Sequence, residues 1–440
     1  MRWTAQTLTG WGRSIHSLAQ VSYPTDSTEV LQSFEDNLRP LIARGNGRSY
    51  GDTALNANGY VICTSNVKQI DSFDPATGEI VVGAGITFGD LMERFAAQGW
   101  IAPVTPGTQF ATIAGAIAND VHGKNHELDG SFGDHVLWIE LILPNGTIQR
   151  VDPDSSPELF AATIGGIGLT GVITRVCFRM KRIPSQFVHV RERRVRDLDE
   201  YLDLLEEVRH RCHYSVGWID GLAQGRSLGR GVLETAEHVE DTRTPKPPRR
   251  LRLTFDLPSR SINSVTARVF NALYYRRIPP NGRERRLDLR RFFYPLDSIL
   301  EWNRLYGRAG FVQFQCVIPD DLARTALRLL LTRITQSGNA SFLAVIKTLG
   351  RDGRGYLSFP TKGVTLALDF PRRAAIPALL DSLHDITLDH GGRVYLAKDS
   401  CLRPEQFRRM YPNLSKFQSV LRSIDPERRM RSDMALRLQL

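Results

Sequence analysis

Between residues 43 and 171 the chain repeatedly sets glycine and other small residues in loops between short apolar runs, which limits what it can fold into. The first loop is Ala43, Arg44, Gly45, Asn46, Gly47, Arg48, Ser49, Tyr50, Gly51 and Asp52, directly after apolar Leu41 and Ile42. Glycine reaches positive φ at little cost and lets backbone approach a ligand closely. Consecutive N–H groups in such a turn form a concavity for an anion. The stretch reads as a strand followed by a phosphate-cradling loop, or as a glycine-rich surface turn; by itself it does not choose.

The theme recurs. Gly83, Gly85 and Gly89 precede a helix expected over 91–98 and stopped by Gly99. This is not a dinucleotide fingerprint, because the spacing is wrong and no acidic residue ends a second parallel strand about 20 residues on. Ala111–Asn119 is nearly all small residues, so something flat and bulky lies against this backbone, or two elements pack very closely. It runs into Asp120, Val121, His122, Gly123, Lys124, Asn125 and His126, and a further glycine cluster spans Gly165–Gly171. Strands are expected at 41–43, 60–64, 79–83, 136–143, 148–151 and 172–180, with an Asn-Gly hairpin turn at 144–147 and a helix at 157–163. Residues 1–40 read as an N-terminal arm that packs through Trp3 and Trp11.

From residue 186 the glycine clusters vanish. Helices are expected at 198–212, 320–336, 373–391 and 403–410, and strands at 311–318, 341–347 and 364–370. The polar, proline-rich segment 238–250 reads as a mobile loop. Residues 276–291, with seven arginines, read as a second loop, either solvated or in contact with anionic lipid. From 393 short motifs return.

The formal charge of +10 suggests an anionic partner such as phosphate, nucleic acid or an acidic membrane surface. No nucleic-acid-binding motif is present, so none is expected as partner. Five scattered cysteines form no CxxC pair, which fits a reducing compartment. No stretch is expected to span a bilayer, and no signal-peptide core is seen. The expected location is cytoplasmic, with peripheral attachment to the inner membrane surface. His122 and His126 have a metal-pair spacing, but no helix or glutamate supports one, so no metal is expected.

Taken together, Arg44–Asp52, Thr112–Gly115, His122–His126 and Gly165–Gly171 resemble the flavin domain of the vanillyl-alcohol-oxidase superfamily, with its PCMH-type FAD-binding fold. The resemblance runs through Phe292–Asp297, Glu301–Arg304, Gly310–Gln315, Tyr395–Ser400 and Ser432–Met434. More narrowly, it resembles the branch that oxidises the 2′-hydroxyl of polyprenylphosphoryl-β-D-ribose, the first half of epimerisation to an arabinose donor lipid for cell-wall arabinan. It implies an α+β protein: an FAD-binding domain from 1–183 completed by 393–440, and a substrate domain with an antiparallel sheet over 184–392. FAD contacts are implied for Arg44, Gly45, Asn46, Gly47, Arg48, Ser49, Tyr50, Gly51, Asp52, Gly107, Thr112, Ile113, Ala114, Gly115, Asn119, Asp120, Val121, His122, Ile173 and Tyr395. Arg48 stands where many relatives carry the histidine that tethers flavin covalently, so FAD is expected to be non-covalent.

The resemblance further implies that His122 lies at the flavin and substrate, that Tyr50, Gln315, Lys347 and Lys398 bind substrate, and that Lys398 is the base. Lys398 would need a lowered pKa for that work; the other reading is that it only hydrogen-bonds. Asp399 is the adjacent carboxylate that would orient it, although nothing in the sequence pairs the two. A pocket cysteine that nitro-aromatic inhibitors attack is replaced by Ala367, and a pocket tyrosine by Phe293. An NADH-dependent ketoreductase subunit is the implied partner. The alternative is an aldonolactone or alditol oxidase of the same superfamily acting on a soluble sugar.

Overall fold

The computed structural model describes residues 3–35, 39–247, 249–258, 260–339 and 342–440. It is a mixed α+β structure with three main sheets. In the first, Tyr60–Cys63 lies between His16–Ser22 and Leu41–Arg44, parallel to both, and Thr4–Thr9 closes one edge antiparallel. Leu41, Ile42, Val61 and Ile62 are all fully buried, which is why these strands are continuous apolar runs rather than alternating ones. Leu41–Arg44 ends at the glycine loop, so the sheet edge aims that loop.

The second sheet is antiparallel, in the order Ile70–Phe73, Glu79–Gly83, Val172–Arg179, Val136–Ile142, Ile148–Val151. Its last two strands are joined by the Asn145-Gly146 turn, where Gly146 takes φ 85°. The helix Phe88–Phe95 starts three residues earlier than its apolar spacing suggests, because Thr87 and Asp90 form a capping box. The small-residue run holds a short helix, Ile113–Ala118, capped by Thr112.

The third sheet has eight antiparallel strands, in the order Arg283–Asp288, Phe187–Val195, Gly231–His238, Tyr214–Ile219, Ala344–Leu349, Gly363–Pro371, Phe311–Pro319, Arg393–Val394. Helices Asp320–Ser337 and Ile376–Asp389 pack on it. The chain then returns to the first sheet. Leu41 N–H donates to the Arg429 carbonyl at 2.8 Å, Arg431 N–H donates back to Leu41 at 2.8 Å, and Asp433 N–H reaches the Leu55 carbonyl at 2.7 Å.

Several expectations need correction. Residues 276–291 are not a loop. Arg283–Asp288 is the edge strand of the eight-stranded sheet, followed by the helix Leu289–Phe293. Its alternating Arg-Glu-Arg pattern is an edge-strand pattern, and the fully buried carboxylate of Glu192 pairs with Arg283 and Arg285 at 2.7 and 3.0 Å. The described part of the N-terminal arm is a hairpin built into the first sheet, followed by the helix Ser27–Glu35. The helix from Leu198 ends at Val208, and the one expected from 373 starts at Ile376, with Pro377 in its first turn. The expected strand from 341 begins at Ala344; Ala340 and Ser341 lie outside the described residues, as do Met1, Arg2, 36–38 and Pro248 of the segments 1–40 and 238–250.

Candidate active site

Three distant parts of the chain are stitched together at the glycine loop. Tyr50 N–H donates to the Ala397 carbonyl at 2.8 Å, and Trp11 N–H donates to Ser49 at 2.8 Å. Tyr395 N–H donates to Gln315 at 2.9 Å, while the Tyr395 hydroxyl donates to the Asn119 carbonyl at 2.9 Å. The 395–398 turn therefore joins the loop, the small-residue helix and the strand Phe311–Pro319.

Around this junction lies a cavity of about 720 Å³. It is lined by Arg44 to Tyr50, Thr112, Gly115, Asn119, Gly168 and Ile173. Its wall also includes His122, Gln315, Lys347, Tyr395 and Lys398, and the mutually packed aromatics Trp218, Phe270, Tyr274 and Phe342. Of the residues implied by resemblance, Arg44, Gly45, Asn46, Gly47, Arg48, Ser49, Tyr50, Gly107, Thr112, Ala114, Gly115, Asn119, Val121, His122, Ile173, Gln315, Lys347, Tyr395 and Lys398 all face it. Ala367 and Phe293 also line it.

Four implied residues stand behind the wall instead. Ile113 is fully buried core. Asp120 accepts the Ser358 hydroxyl at 2.5 Å and Gly133 N–H at 3.1 Å, and burial raises its pKa to about 6. Gly51 packs so tightly on the Asp399 carbonyl that a Cβ would collide with it. Asp52 pairs with Arg437 at 2.8 Å. None of the four lines the cavity.

The wall fits FAD on its own chemistry. Among the described residues, no backbone or side-chain acceptor takes the N–H groups of Gly45 through Ser49, and Gly47 has φ 62°. Such a run of free amides is an anion nest suited to a pyrophosphate. Arg48 adds positive charge, its guanidinium 4.1 Å from the Trp11 ring and 4.7 Å from that of Phe110. Its buried Nε has no protein partner, nor have Asn119 Oδ1 and His122 Nδ1. A Cβ on Gly107 would project into open space. Orphaned polar atoms on residues that line a largely apolar cavity suit a group that is flat, polar at its edges and anionic at one end.

Elsewhere on the cavity wall the side chains are cationic but desolvated. The Lys398 ammonium stands 3.6 Å from the centre of the Tyr50 ring. Burial lowers its pKa, and the carboxylate of Asp369 partly offsets that. Lys347 donates to the Gly123 carbonyl at 3.0 Å, and burial with the nearby Lys124 and Lys398 charges lowers its pKa to about 7. Burial and Lys347 also hold His122 far below the usual histidine range, so its ring is neutral. Gln315 donates its amide to His122 Nε2 at 3.0 Å, which leaves the ring hydrogen on Nδ1. His126 is turned away; its Nδ1 accepts Gly350 N–H at 3.1 Å.

Asp399 does not orient Lys398. It is tied to Arg437 at 2.9 Å and accepts the N–H groups of Cys401 and Leu402. The carboxylate that Lys398 feels is Asp369, fully buried in the strand Gly363–Pro371 and held by Gln313 at 2.5 Å. A lone acid within that apolar strand was the available signal for it. Lys124, to which the sequence assigns no role, also lines the cavity; it donates to the Phe292 carbonyl at 2.6 Å and approaches Glu234 at 3.4 Å.

Comparison with known proteins agrees with this geometry. Residues 18–152 match the FAD binding domain family, and residues 364–438 match the D-arabinono-1,4-lactone oxidase family. The chain is 35% identical to decaprenylphosphoryl-β-D-ribose oxidase of Mycolicibacterium smegmatis, over 99% of this chain and 98% of that protein. It is 33% identical to an uncharacterised protein of Streptomyces coelicolor, over 81% of this chain and 100% of that one. A putative D-arabinono-1,4-lactone oxidase of Neurospora crassa is 27% identical over 41% of this chain and 33% of its own length. With similarity spanning both chains from end to end and an FAD-binding domain at the nest of free amides, this protein is an FAD-dependent oxidoreductase and belongs to the decaprenylphosphoryl-β-D-ribose oxidase family.

Proposed function

We propose that the protein oxidises the 2′-hydroxyl of a polyprenylphosphoryl-β-D-ribose to the 2′-ketone. The observation that carries this reading is that one cavity is lined both by the polar groups Lys347, Lys398, His122 and Gln315 and by the mutually packed aromatics Trp218, Phe270, Tyr274 and Phe342. That pairing of linings matches a phosphoryl sugar with an apolar tail.

In this reading residues 1–183 and 393–440 form the FAD-binding unit and 184–392 the substrate-binding unit. The Gly45–Ser49 amides and Arg48 hold the pyrophosphate, and FAD, when bound, supplies the hydride acceptor. FAD is held without a covalent bond, since an arginine cannot make the usual histidyl link. Lys398 takes the hydroxyl proton as the hydride leaves the 2′-carbon. Burial favours its neutral amine, the form that can accept a proton. Gln315 and the neutral His122 orient the sugar. Lys347 meets the phosphate, whose charge raises the lysine's proton affinity on binding. Tyr50 holds the Lys398 ammonium over its ring once the proton has moved.

The ketone is returned to an alcohol of opposite configuration by a separate NADH-dependent ketoreductase. Such a lipid resides in a membrane, so the enzyme works at the inner membrane surface. The deciding experiment is incubation of the holoenzyme with polyprenylphosphoryl ribose and an artificial electron acceptor. A 2′-keto product seen by mass spectrometry supports the reading; bleaching of the flavin by free sugar lactones with hydrogen peroxide formation, and none by the lipid, overturns it. That second outcome is the soluble-sugar alternative, which the match of residues 364–438 to the lactone oxidase family favours.

A further inference from the structure

The helix Ser264–Arg276 carries its apolar residues on the wrong side for an ordinary surface helix. It rests on the body through Ala267 and Asn271, the latter fully buried and donating to Asp220 at 2.6 Å. On the opposite side of the helical wheel Val265, Val269 and Leu273 are 68%, 57% and 65% exposed. Phe270 is exposed too, and it also lines the cavity with Tyr274. The segment leading into the helix adds Leu251 and Phe255, each largely exposed.

Charge singles out the same region. Between Arg243 and Arg277 there are nine basic residues and one acid, Asp256. That acid is already paired with Arg13 at 2.6 Å and Arg304 at 3.4 Å. Among the described residues Lys246, Arg249, Arg260, Arg268 and Arg276 have no carboxylate partner, and all five are exposed. The arginines just downstream differ: Arg277, Arg283 and Arg285 are all drawn to the buried carboxylate of Glu192, at 3.3, 2.7 and 3.0 Å. The uncompensated charge therefore lies on and before the helix, not on the strand after it.

We propose that this helix face is the membrane-docking surface, with Val265, Val269 and Leu273 entering the interface of a bilayer rich in anionic lipid and the unpaired arginines and lysine contacting its headgroups. An apolar helix face bordered by basic residues is the pattern of an interfacial helix. Phe270 is at once exposed on this helix and part of the cavity wall, so a lipid tail can pass from bilayer to site along it without crossing water. That last step rests on the function proposed above; the docking does not.

The test uses the full-length holoenzyme and vesicles of phosphatidylcholine alone or mixed with phosphatidylglycerol. The wild type is expected to co-float with the anionic vesicles and not with the neutral ones. The triple variant Val265→Asp, Val269→Asp, Leu273→Asp is expected to lose that binding by about tenfold or more. It should keep its flavin and its oxidation of a short-tailed phosphoryl ribose in solution, since none of the three residues lines the cavity. Hydrogen exchange of the 264–276 amides should slow when the wild type meets anionic vesicles. Undiminished flotation of the variant overturns the proposal, as does unchanged exchange on wild-type binding. It is equally overturned if the face proves to join two copies of the chain, seen as a wild-type dimer that the variant breaks and that does not bind vesicles. Loss of flotation by the variant, in a protein that fails to oxidise the ribose lipid, sinks the proposed substrate and leaves the docking surface standing.

Discussion

The Lys398 ammonium lies 3.6 Å from the ring centre of Tyr50, and the backbone that carries Tyr50 is itself bonded to Ala397, the residue before that lysine. The first glycine loop and the last active-site segment thus hold each other, although nearly the whole chain separates them. A cation against a π face is stabilised where water is excluded. The pair keeps a lysine whose proton affinity burial has lowered within reach of charge stabilisation when it becomes protonated.

Lys398→Met removes the proposed base but leaves the amide nest intact. Turnover should fall by about 10²–10⁴-fold while FAD stays bound. Flavin absorbance of the purified variant, followed by anaerobic addition of substrate, checks both halves. Undiminished flavin reduction would show that Lys398 only positions the sugar.

Lys347 gives a pH signature in stability. Its folded pKa of about 7 lies below the ordinary lysine value of 10.5, so between those limits the unfolded chain binds more protons than the native one. Its contribution therefore makes the native state more stable as pH rises from 7 to 10.5, and its full penalty is present below 7. Lys347→Met should raise the melting temperature of the apoprotein at pH 6, with the gain shrinking towards pH 10. The same variant should raise KM for a phosphorylated substrate.

Arg437 lies between Asp52 and Asp399, 2.8 and 2.9 Å from their carboxylates, both of which are buried. Removing it leaves two buried charges without a partner. Arg437→Met should cost about 3–5 kcal/mol in urea unfolding. Because these carboxylates anchor the Gly51 and Cys401 turns, FAD affinity should fall with it.

At Arg48 the cofactor link should be severable. Acid denaturation is expected to release all FAD into the supernatant, checked by its absorbance there. Arg48→Ala, which removes a guanidinium packed on Trp11 and Phe110, should weaken FAD binding by about 1–2 kcal/mol.

Ala367 lines the cavity but offers no nucleophile. Incubation with nitro-aromatic inhibitors that label a cysteine at this place should leave the mass of the protein unchanged. Ala367→Cys should gain the adduct.

The sequence by itself determined the loops and most strands. Gly47 at φ 62° and Gly146 at φ 85° are backbone requirements that only a few residue types meet, so the residue type reveals the conformation. The apolar runs 60–63 and 172–179 likewise state their burial in their own composition. What the tertiary structure alone decided was pairing. Seven arginines between 276 and 291 read as a loop, solvated or in contact with anionic lipid, until Glu192, some ninety residues earlier, is found beneath three of its arginines. Asp399 adjoins Lys398 in the sequence, but Arg437 claims it, and the carboxylate that acts on the lysine is Asp369 from another strand. The helix 264–276 is not among the elements expected from the sequence, and the outward direction of its apolar residues is seen only in the fold. Local conformation is set by steric limits written into each residue. Which charge meets which, and which face meets water, depend on groups brought together from far along the chain, and those distances exist only in the folded protein.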